Sequence, residues 1–162
     1  MTAAADPASI AGFVIDPLPE AELDRIRAAG LDDFGNPLVA VTVEGPGAPL
    51  RCCLRDASAG EVVGLIAYRA GGKGPYAEVG PIFIHAQKCS GYATRNRYPE
   101  GFRHRQQVFR AYNAAGTIAD ALVVEGADAE TAITSLLGRA EIVSVQSRNV
   151  NYGCYMFAIS RA

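Results

Sequence analysis

The chain has 162 residues, 49% of them hydrophobic and 20% charged, with a formal net charge of -2. That length and apolar content suffice for a core that needs neither disulfides nor metal. The near-neutral balance excludes a surface that as a whole seeks nucleic acid or anionic membrane, so any anion site must be local.

Residues 1–12 are expected to be a flexible N-terminus and 13–162 one domain. The opening M-T-A-A-A-D-P-A-S lacks the basic and apolar regions of a signal peptide. No stretch reaches the ~18 apolar residues of a membrane span, so a cytoplasmic protein with no membrane partner is expected. Asp16-Pro17, acidic Glu20 and Glu22, then Arg25 and Arg27 before Gly30 predict a helix ending near Ala29. Leu38–Glu44 and Leu50–Arg55 read as two strands that pair across G-P-G-A-P. V-V-G-L-I-A-Y (62–68) is apolar on both faces, as in an interior strand.

Two Gly-Pro steps, G-P-Y-A-E-V-G-P, then bend the chain into a strand from about Pro81 to Ala86. Residues 90–104 are polar and Arg-rich, lack a period and read as a long loop or a short irregular helix. Q-V-F-R-A-Y, N-A-A-G and T-I-A-D-A-L-V-V form a hairpin. Asp128 caps a helix with Ala129, Ala132, Ile133, Leu136 and Leu137 on one face and Gly138 as its stop. I-V-S-V-Q-S and C-Y-M-F-A-I-S flank N-V-N-Y-G as a last hairpin. The order predicts an α+β fold with one mostly antiparallel sheet of about six to eight strands and two main helices.

Thirteen of the fifteen basic residues are Arg and Ala is abundant, a bias that GC-rich bacterial coding explains without function. The four cysteines, Cys52, Cys53, Cys89 and Cys154, show no C-x-x-C pair and no zinc-finger spacing, and disulfides are not expected in a reducing compartment. Strand alternation through L-R-C-C-L-R assigns Cys52 to the core and Cys53 to a face shared with Arg51 and Arg55, where positive charge favours a thiolate. The same rule aims His85 to that side. Cys53 as nucleophile, His85 as base and Glu78 orienting the imidazole form a candidate catalytic set.

Arg51, Arg55 and Arg148, with Tyr76 at the Gly-Pro bend, form a candidate receptor for a small carboxylate or phosphate, because guanidinium forks bind such oxygens bidentately. This is the preferred reading: recognition of a small anionic molecule, with thiol or acid/base chemistry and no cofactor. The alternative is a non-enzymatic metal-binding or interaction module with structural Cys and His, zinc then falling to His85, Cys89 and Cys154. A third reading, single-stranded nucleic acid on residues 95–110, rests on five Arg interleaved with Tyr98, Phe102 and Phe109.

L-R-C-C-L-R-D, G-E at 60–61, G-P-Y-A-E-V-G-P-I-F-I-H-A, Cys89, R-A-Y at 110–112 and R-N-V-N-Y-G-C together resemble the bacterial domain-of-unknown-function 1203 family, from about Phe13 to the C-terminus. The resemblance implies that Arg51, Cys53, Arg55, Tyr76, Glu78, His85, Cys89, Arg148 and Cys154 belong to the family's pattern. It implies also that Cys52 can stand in a ligand position, since relatives carry His there. It brings no activity with it.

Overall fold

A computed structural model describes residues 12–162, so the expectation for the N-terminus lies, Gly12 apart, outside the described residues. The strands are β1 (Phe13–Asp16), β2 (Val41–Thr42), β3 (Pro49–Leu50), β4 (Arg55–Asp56), β5 (Val62–Ala70), β6 (Glu78–His85), β7 (Gln107–Tyr112), β8 (Ile118–Val124), β9 (Ser144–Asn149) and β10 (Tyr155–Arg161). The helices are α1 (Glu20–Ala29) and α2 (Ala129–Leu137).

The fold is α+β, as expected, but its strands form two five-stranded sheets rather than one sheet of six to eight. The first has the order β1-β10-β9-β7-β8, the second β2-β5-β6-β3-β4. The division falls in the irregular stretch after His85. β7 begins at Gln107 and pairs with β8 and β9 instead of rejoining β6. Each sheet has its own core. Ile133, Leu136 and Leu137 of α2 pack with Phe109, Val145, Phe157 and Ile159. Leu23 and Ile26 of α1, three residues apart on one helical face, pack with Ile66, Ile82 and Ile84.

Local sequence accounts for the helix ends. Glu20 and Glu22 lie in the first turn of α1 and Arg27 in the last, and Gly30 takes the left-handed conformation (φ 68°), its N–H bonded to Ile26 O. α2 begins after Asp128, but that side chain makes no capping hydrogen bond. Strand β1, which pairs with β10 from Phe13↔Arg161 to Asp16↔Ala158, had no counterpart in the sequence reading. Four residues are too few to show a period.

Three expected strands differ. β2 is only Val41–Thr42 and pairs with β5, not with the next segment. β5 is central, yet one face is open, with Leu65 48% exposed. Most consequential is the stretch read as one strand from Leu50 to Arg55. Its residues 51–54 are a tight turn between β3 and β4, closed by Leu54 N–H on Leu50 O at 3.0 Å and by a left-handed Leu54 (φ 56°).

Glu78 links the two sheets, since its carboxylate accepts from Arg110 of β7 and Arg148 of β9, both at 2.8 Å. Arg51 adds a second link, donating from Nε to Tyr155 O at 2.7 Å.

Candidate metal centre

The turn at 51–54 is held beside the end of β6. Leu50 pairs in parallel with Phe83, and Arg51 N–H donates to Phe83 O at 2.9 Å. In a helical turn successive side chains point about 100° apart, not to opposite faces as on a strand, so adjacent cysteines can approach one point. Cys52 and Cys53 do so. Their sulfurs lie 3.4 and 3.7 Å from His85 Nδ1. Cys89, on the loop after β6, completes the group, and the four donor atoms all lie within 4.8 Å of one another.

The imidazole is fixed from several directions. Its main-chain N–H donates to Cys52 Sγ at 3.3 Å, and its carbonyl accepts from Arg27 Nε at 3.1 Å. Nε2 lies 3.0 Å from Glu61 Oε1. Glu61 is anchored in turn by the Arg55 fork at 2.7 and 2.5 Å and by the Ser58 N–H at 2.6 Å. Arg55, then the Ser58 N–H and His85, hold the Glu61 carboxyl far below the usual range, so it can only accept. Nε2 therefore carries a hydrogen, and in the neutral ring Nδ1 faces the sulfurs with its lone pair.

The Cys52 and Cys53 thiols are pushed in opposite directions. The hydrogen bond from Cys53 lowers the Cys52 thiol; burial opposes this, and the His85 main-chain N–H reinforces it. Cys53, as the donor beside a thiolate, is pushed up, first by that same bond and then by burial. Of the two, the fully buried Cys52 is the thiol that ionises more readily.

The structure brings together Cys53 and His85, but through the turn rather than through shared strand faces. Glu78 is not their third member. It stands at the other end of β6, seven residues and about 23 Å of strand away. Glu61 occupies the orienting position instead.

The guanidiniums expected to converge are each engaged elsewhere. Arg51 is 2% exposed and turned to the carbonyls of Tyr155 and Pro49, and burial pushes its pKa down to about 10. Arg55 holds Glu61, while Arg148 holds Gln146, Gly153 O and Glu78. Tyr76 lies in the short helical turn before β6, remote from His85.

Cys154 is also apart from the other cysteines, its Sγ 3.8 Å from Tyr152 O at the mouth of a 270 Å³ cleft shared with Glu78 and Arg148. The cluster contains His85 and Cys89 of the metal set expected from sequence, with Cys52 and Cys53 beside them and Cys154 outside it. Cys52 is buried, as strand alternation predicts, and its sulfur also faces the cluster. Tyr98, Phe102 and Phe109 of the Arg-rich stretch are core residues, 1%, 0% and 0% exposed, so they offer no stacking surface for bases.

A groove of 810 Å³ runs along β5 and β6 between Val39, Val41, Leu65, Val79 and Phe83, and no titratable group lines it among the described residues. Near the cluster is a smaller cleft of 360 Å³ lined by Arg55, Glu61, Val62, His85, Gln87, Lys88 and Cys89.

A family model described as a protein of unknown function, DUF1203, matches residues 47–161. The chain belongs to the DUF1203 family. The match contains all four cluster donors together with Arg55 and Glu61, whereas α1 lies before it. No curated protein and no solved structure matches the chain.

Proposed function

We propose that this DUF1203 protein binds a metal, with Cys52, Cys53, Cys89 and His85 Nδ1 holding one divalent cation, zinc by the chemistry of its donors. Three sulfurs and one imidazole are a soft, four-donor set of the kind that selects zinc in tetrahedral coordination. With Zn–S near 2.3 Å and Zn–N near 2.05 Å, a tetrahedral site has an S···N edge of about 3.6 Å. The 3.4 and 3.7 Å separations of Cys52 and Cys53 from Nδ1 bracket that edge.

The observation that carries this reading is the pairing of those donors with Glu61 on His85 Nε2. A carboxylate on the far nitrogen of a ligating histidine fixes its tautomer and raises its basicity. An imidazole serving packing alone needs neither that partner nor three thiols at its other nitrogen. Protein purified without chelator should contain one zinc per chain by elemental analysis, and Cys52→Ser should contain none. A wild-type protein free of zinc after growth and refolding in zinc would refute the proposal.

A further inference from the structure

We infer that Cys89 is the exchangeable ligand of this centre and that a small carboxylate- or thiolate-bearing anion enters from the adjoining cleft to replace it; the inference rests on the metal-binding reading. The four donors differ in how they are held. Cys52 is fully buried and shares with Cys53 a turn locked by two main-chain hydrogen bonds to its flanks. His85 ends a strand paired with β5, and both its ring and its main chain are tied down. Cys89 alone sits in irregular chain.

Cys89 and His85 are also the only donors that line the 360 Å³ cleft. His85 Nε2 is already engaged by Glu61 there, so an incoming group reaches the metal on the Cys89 side. The other cleft walls suit an anion. Among the described residues Lys88 pairs with Asp24 alone, at 3.0 Å, in a contact where the side chains are 67% and 41% exposed. Such a pair is weak enough for the ammonium to be redirected to a ligand. Next to the Cys89 loop, both carboxylate oxygens of Glu20 are buried without a hydrogen-bond partner among the described residues; Oε2 faces Arg27 Nη1 at 3.8 Å and Oε1 lies beside Gly91. They supply an acceptor for the released thiol.

In the exchange the metal–sulfur bond to Cys89 breaks, a bond from the incoming anion forms, and the departing thiolate takes a proton from solvent. The charge on the metal and its donors is unchanged. Catalytic metal sites commonly have three protein ligands and one exchangeable position, and this arrangement gives the same division within a four-donor set.

Cobalt-substituted full-length protein tests the inference, with azide as a probe of the metal position and mercaptoacetate as a probe that adds a carboxylate for Lys88. Azide should shift the visible d–d bands of the wild type. Cys89→Ser should retain one cobalt per chain and respond at lower azide, whereas Cys52→Ser should lose the metal. Lys88→Ala should weaken mercaptoacetate several-fold and leave azide unaffected. Loss of cobalt from Cys89→Ser as complete as from Cys52→Ser, or a wild-type spectrum indifferent to both probes, would overturn the exchange. Failure of the wild type to take up any metal would instead overturn the metal-binding reading.

Discussion

His85 Nε2 lies 3.0 Å from Glu61 Oε1, across the imidazole ring from the sulfurs of Cys52 and Cys53. Glu61→Gln should therefore leave the four donors in place and lower zinc affinity by about 10–100-fold, the usual cost of losing such a carboxylate. Competition with a chromophoric chelator measures it. Equal affinity in the variant would separate Glu61 from the centre.

Glu61 stands in the G-E at 60–61 that carries part of the family resemblance, but its pairing with His85 is legible only through strand register. Val63 faces His85 across the β5–β6 pair, so Glu61, two residues earlier, points to the same side. A reader of the sequence who placed Val62–Tyr68 opposite Pro81–Ala86 could have found it. The turn at 51–54 was not legible in the same way. L-R-C-C-L-R alternates well enough to read as a strand, and a left-handed Leu54 leaves no mark of the kind Gly or Asn would. The helices and the two C-terminal hairpins were legible because apolar spacing, first-turn acids, the closing glycines and the N-A-A-G or N-V-N-Y-G turns agree locally. Which strands share a sheet depends on contacts far apart in the chain, and no local pattern encodes that.

Asp32 should give the fold a measurable acid limit. Burial raises its carboxyl pKa, but hydrogen bonds from Ala67 N–H, Asn36 and Phe34 N–H outweigh this and hold it at about 2, below 3.8. A depressed folded-state pKa contributes stability above the unfolded value, and that contribution is lost as pH falls from about 4 towards 2. The gap amounts to about 2 kcal/mol. Asp32→Asn should lose that much at pH 7 and show a flatter stability profile between pH 4 and 2. Urea titrations at several pH values would reveal it, and an unchanged slope would contradict the assignment.

Gly101 should tolerate no side chain. A Cβ there would lie 2.7 Å from Arg55 Cβ and 2.8 Å from Arg55 Cα, against main chain that anchors the cysteine turn. Gly101→Ala is expected to destabilise by about 1–3 kcal/mol, as overpacking does. Because Arg55 holds Glu61, zinc affinity should fall as well. A denaturation midpoint equal to that of the wild type would show that the contact relaxes without cost.

The aromatics of the Arg-rich stretch should behave as core. Phe102 is fully buried and stacks on Phe157 with centroids 6.3 Å apart. Phe102→Ala should cost about 3–5 kcal/mol. The wild type should not bind single-stranded oligonucleotides even at low salt. Salt-sensitive binding by fluorescence anisotropy would contradict this.

X-ray absorption at the zinc edge of the purified wild-type protein tests the central claim most directly. Three sulfur scatterers near 2.3 Å and one nitrogen near 2.05 Å, with one sulfur lost in Cys89→Ser, are the expected result. A shell of nitrogen and oxygen alone, or no bound zinc, would contradict the Cys52–Cys53–Cys89–His85 centre.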